Sequence, residues 1–133
     1  MPFAISVTTT FSAAHALRLP DGTFEPVHGH DWRVDVTVAS DGLDAMETVM
    51  DFHVLQAALE AIVKPWRNQD LNRCDPFAGP SPALPKINPS AERVAKHVGD
   101  SIATGLPDGV RLESVAVKES PGCVALYRPA ATA

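Results

Sequence analysis

The chain has 133 residues with a formal net charge of -5, and its Lys and Arg are scattered. That speaks against a phosphate-backbone partner, which would need clustered cations. Cys74 and Cys123 are too few for a disulfide framework and neither lies in a CxxC spacing, so a reducing cytoplasm is the expected compartment. No stretch approaches the roughly 20 apolar residues of a membrane span, and the start MPFAISVTTTFSAAH lacks the basic and apolar regions of a leader. A soluble, unprocessed protein of one domain, residues 1–133, is expected.

From Phe3 to Phe11 the odd positions Phe3, Ile5, Val7 and Phe11 are apolar and the even ones mostly small or polar, the period of a half-buried strand. His15 shares that parity. After the polar loop around Asp21-Gly22-Thr23, Trp32, Val34, Val36 and Val38 alternate with Arg33, Asp35 and Thr37, a second strand whose apolar parity includes His28 and His30. The two strands predict a long antiparallel hairpin with its histidines near the loop end.

Phe52, Leu55, Leu59, Ile62 and Trp66 then recur at helical spacing, with Asp51 placed to cap the first turn. A Pro-rich connection leads to Asn88-Pro89-Ser90-Ala91-Glu92, where a polar cap candidate and an early proline suit the start of a second helix through Val94, Val98 and Ile102 to Gly105. Val115 and Val117 alternate with Ser114 and Lys118, and Ser120-Pro121-Gly122 turns the chain into a last strand from Cys123 to Tyr127. The expected fold is α+β, a four-stranded antiparallel sheet with two helices on one face in the order ββααββ. Its outer strands are open edges, which pairing with further copies in a closed symmetric assembly removes.

His28 and His30 stand two apart on a strand, so both imidazoles leave one face of the sheet. His15, on the paired strand across the loop, can complete a set. Three neutral imidazoles with a fourth position open to water or substrate is the arrangement of a catalytic zinc site, although imidazoles suit several divalent metals. A lone histidine near a strand end is ordinarily a hydrogen-bonded residue, and His53 and His97 take that reading. Glu119 continues the parity of Val115 and Val117. A carboxylate ending an apolar strand face needs a partner, and the amino edge of a 2-amino-4-oxo pyrimidine supplies two parallel donors.

The segments FSAAHAL, VHGHDW, VMDFHVLQ, INPSAERVA and AVKES, in that order, resemble the tetrahydropterin synthases, the 6-pyruvoyl enzyme and the bacterial 6-carboxy enzyme of queuosine biosynthesis. The resemblance runs from about Phe3 to Tyr127. It implies the tunnelling fold, a homo-hexamer of two trimers with pterin sites between subunits, and Zn2+ on His15, His28 and His30. It also maps the pterin-anchoring glutamate onto Glu119, and a second family acid onto Glu92, which the first turn of a helix favours in any case.

Two family features are absent. Phe24 stands in TFEPVHGH where the family places its cysteine base, and Arg67 and Asn68 stand in WRNQDLN where an Asp-His pair assists proton transfer. Arginine is no base at neutral pH and asparagine does not titrate. Glu25, three residues before His28, is the candidate base, and a related branch of the family resembles this arrangement in using a glutamate there for an aldolase-like cleavage. Asp70 is a weaker helper, a helix-end acid. Two readings follow: a zinc-dependent lyase acting on the C6 side chain of a dihydropterin, or a non-catalytic, regulatory protein that binds zinc and pterin.

Overall fold

The computed structural model describes residues 1–81 and 84–130. Strand β1 (Phe3–His15) pairs antiparallel with β2 (His28–Ser40) along its whole length, from Phe3 opposite Ser40 to His15 opposite His28. Because opposed residues of an antiparallel pair share a face, Val7, Phe11, Ala13 and His15 lie on the same side as Trp32, Val34, Val36 and Val38, and all are buried.

Helix α1 (Phe52–Val63) covers that face with Leu55, Leu59 and Val63, and Asp51 caps it by accepting the His53 N–H. The helix stops short of Trp66. Pro65 has no N–H to donate to the preceding turn, and the chain tightens into a 3-10 turn over Lys64–Trp66 that still seats Trp66 in the core. Helix α2 (Ala91–Ala103) adds Val94, Ala95, Val98 and Ile102 to the same layer. Its cap is Ser90, whose Oγ accepts the Arg93 N–H at 3.1 Å. Asn88 and Pro89 precede the helix. Strands β4 (Val110–Ser120) and β5 (Cys123–Tyr127) complete the sheet, with Val115 and Val117 fully buried beneath α2. Each such side chain removed from water is worth about 1.5–3 kcal/mol, so this shared layer holds the hairpin and the helices together.

The expected four-stranded antiparallel sheet is corrected in one respect. A short strand β3 (Gln69–Asp70) lies parallel to β1 opposite Ala13 and Ala14, so the sheet is mixed and five-stranded in the order β3-β1-β2-β4-β5. Its cause is Asn68, which adopts φ 58, a left-handed conformation that asparagine tolerates better than most side chains. That turn lets the Asn68 N–H donate to Ser12 O at 2.6 Å and lays the next two residues along the edge of β1. No helix among the described residues is long and apolar enough to cross a membrane.

Candidate metal centre

The end of the β1–β2 hairpin brings His15, His28 and His30 together. His15 is fully buried over the face of Trp32, with ring centroids 4.9 Å apart, and the indole N–H is held by Ala13 O at 3.1 Å. Strand β4 adds Glu119. A register irregularity between Lys118 and Ser120 leaves Glu119 out of step with β5, and such a bulge redirects the side chain it carries. Glu119 Oε1 lies 2.8 Å from His15 Nε2 and 3.3 Å from His30 Nε2. One ligand atom from each of the four residues falls within 4.8 Å of the other three.

Backbone carbonyls set the chemistry of this cluster. His15 Nδ1 is 2.7 Å from Pro89 O and His28 Nδ1 is 2.8 Å from Pro26 O. A carbonyl only accepts, so each Nδ1 carries a proton, and in the neutral imidazole, the form that binds a metal, each Nε2 turns a lone pair inward. Those two Nε2 atoms are 3.2 Å apart, and His30 Nε2 is buried with no hydrogen-bond partner among the described residues. Lone pairs and a carboxylate packed this closely repel one another unless a proton or a metal ion lies among them. Nitrogens bound to a tetrahedral zinc at roughly 2.0–2.1 Å stand roughly 3.3–3.4 Å apart, close to the separation found here. Burial holds His30 below the ordinary imidazole range, against the opposing pull of Glu119, which keeps it neutral as a metal ligand must be. The residues fit a divalent ion.

The backbone leaving His15 is held by side chains. Asn72 accepts the Ala16 N–H and donates to Ala16 O, each at 2.8 Å; Asn88 does the same for Arg18, at 2.8 and 3.0 Å. Between them Glu25 Oε1 accepts the Leu17 N–H at 2.9 Å, and the Glu25 N–H donates to Leu17 O at 3.1 Å. Glu25 is thereby anchored by one carboxylate oxygen on the segment that follows His15, and it is not one of the four clustered residues. Asp70 is occupied: it caps the 3-10 turn Leu71–Arg73 by accepting the Asn72 N–H at 3.0 Å. Glu92 is exposed in the first turn of α2. Arg67 is far along β1, tied to Glu60 Oε2 at 2.6 Å and Thr10 O at 2.7 Å. His53 is exposed beside Asp51, and His97 packs on Trp66 with ring centroids 5.5 Å apart.

Asn72, Asn88 and the carbonyls of Pro26 and Pro89 were not singled out as site residues by sequence reasoning. A signal was available. The hairpin pairing ends at His15, so the next three peptide groups require partners from elsewhere, and asparagine amides offer a donor and an acceptor at once.

Comparison with known proteins gives the family and the fold. A family model described as 6-pyruvoyl tetrahydropterin synthase matches residues 4–130, and the chain belongs to that family. A dihydroneopterin monophosphate aldolase of Pyrococcus furiosus is 28% identical over 119 residues, covering 90% of this chain and 91% of the relative. A 6-carboxy-5,6,7,8-tetrahydropterin synthase of Bacillus subtilis is 29% identical over 131 residues, 96% of this chain and 86% of the relative. The solved 6-pyruvoyl tetrahydropterin synthase of Caenorhabditis elegans superposes with a TM-score of 0.77 over 96% of both chains at 16% identity, which establishes likeness of fold.

Proposed function

We propose that the chain is a zinc-dependent lyase of the tunnelling fold that acts on the C6 side chain of a dihydropterin. The observation that carries this reading is the convergence of three imidazole nitrogens and the Glu119 carboxylate at one end of the sheet. His15, His28 and His30 would hold the zinc, which when bound would supply a Lewis acid for side-chain oxygens of the substrate. Glu119 takes the amino edge of the pterin, whose two parallel donors match a carboxylate.

The likeness to an aldolase favours cleavage of a carbon–carbon bond. In that reaction the hydroxyl on the second side-chain carbon loses its proton and the bond between the first and second carbons breaks. The electron pair passes into the C6–N5 imine of the ring, and a proton returns to the first carbon. The chain therefore needs a group that takes and returns a proton. Glu25 suits the task, because Leu17 N–H fixes one carboxylate oxygen and leaves the other for the substrate. Asp70 has its carboxylate committed to a cap, and Glu92 is left for a site shared with a neighbouring subunit.

A second reading, a pterin- and zinc-binding protein without turnover, draws on Arg67, whose ion pair with Glu60 gives it a structural task and no proton to relay. Metal analysis and turnover separate the readings. Zinc should copurify near one ion per chain and be lost from the double variant His28→Ala/His30→Ala, while the parent consumes dihydroneopterin only when loaded. Metal content equal in parent and double variant refutes the site; loaded protein without turnover favours the second reading.

A further inference from the structure

Glu119 is asked to meet two demands that one carboxylate cannot meet together. Pairing with the parallel donors of a 2-amino-4-oxo pyrimidine requires both oxygens to face the ligand in one plane. Yet Oε1 sits among the imidazoles, 2.8 Å from His15 Nε2 and 3.3 Å from His30 Nε2. With its Nδ1 proton committed to Pro89 O, neutral His15 presents a lone pair there. A carboxylate oxygen at that distance is held by a proton on the imidazole or by a metal ion, and in a metal-loaded site the ion takes the place of the proton. Glu119 is less enclosed than its neighbour: its side chain is 27% exposed and it rides on a bulge at the end of β4, whereas His15 is fully buried in the core.

We propose that Glu119 is a two-position carboxylate, closing the three-histidine set as a fourth metal ligand when no pterin is bound and leaving the metal to take the pterin's amino edge. This rests on the zinc and pterin reading above and adds its regulation. Four protein ligands make a closed zinc site and three leave a position open. The site is therefore sealed at rest, and recognition of the pterin ring opens one coordination position for the side chain. Binding free energies are reciprocal, so a pterin that draws Glu119 away weakens zinc by the same factor that zinc weakens the pterin.

The test uses zinc and a C6-methyl pterin, which carries the amino edge and no side-chain oxygen. Zinc affinity is measured by competition with a chromophoric chelator, without pterin, for the parent and for Glu119→Gln. Loss of a carboxylate ligand should weaken zinc by about tenfold or more. In the parent, saturating pterin should weaken zinc by a comparable factor, and metal-free protein should bind the pterin correspondingly more tightly than loaded protein. Zinc affinity equal within about twofold in parent and Glu119→Gln overturns the proposal. So does independence of the two affinities in the parent, and either result leaves the lyase reading standing if zinc and pterin both bind. A parent that binds no zinc or no pterin overturns both.

Discussion

Asn72 closes a ring on the backbone of Ala16, donating through Nδ2 to its carbonyl and accepting through Oδ1 from its N–H, both at 2.8 Å. The amide is buried and stands in for a neighbouring strand where the hairpin has run out. Asn72→Ala leaves a buried donor and acceptor without partners and should cost about 2–4 kcal/mol of stability. Urea unfolding of the metal-free protein measures it. A loss below about 0.5 kcal/mol would mean that water replaces the clamp.

Glu25→Gln keeps the acceptor that Leu17 N–H requires, so the segment after His15 retains its path. What the substitution removes is a group that exchanges protons. Turnover should fall by roughly 10²–10⁴-fold while zinc and pterin affinities hold. Full activity in this variant assigns the proton transfer to another residue.

Much of this fold is legible because hydrophobic period and face are the same information. The parity joining Phe11, His15, His28, His30 and Trp32 is visible in the sequence, and the paired register of β1 and β2 turns it into one buried face. Strand β3 is not legible, since two residues carry no period and their placement depends on the left-handed turn at Asn68. The Asn88-Pro89 pair has a similar lesson. Its helix-start signal is real but displaced to Ser90, and Asn88 serves Arg18, which is 70 residues away in sequence. The grouping of His15, His28 and His30 is legible from spacing, whereas the groups that hold two of their rings are backbone carbonyls, which no side-chain pattern reports.

His97 lies against Trp66 and Phe77, and burial holds it below the ordinary imidazole value while Asp100 opposes the shift. Since the folded state disfavours the proton, the unfolded chain binds more of it below the ordinary imidazole value of 6.5. The contribution of His97 is thus complete above that pH and is lost as pH falls through it towards the folded value. His15, His28 and His30 titrate nearby, so the readout is the difference between parent and His97→Phe in thermal melts from neutral to mildly acidic pH. The parent should lose more stability than the variant. Parallel curves would contradict the assignment.

Among the described residues strand β5 leaves one sheet edge unpaired, with Val124 and Leu126 exposed at 60% and 48%. Edges of this kind are removed by pairing with other subunits, and a hexamer is the expected assembly. Sedimentation or native mass spectrometry at micromolar concentration checks it. A monomer contradicts it, and with it any site shared between subunits.

Mass spectrometry of products is the most direct test of a lyase acting on the pterin side chain. Zinc-loaded protein is incubated with dihydroneopterin, its monophosphate and its triphosphate. The expected result is conversion of at least one to hydroxymethyl-dihydropterin together with a two-carbon aldehyde or its phosphate, dependent on metal and strongly reduced in Glu25→Gln. Intact substrate in every reaction, with zinc and pterin shown to be bound, would contradict it.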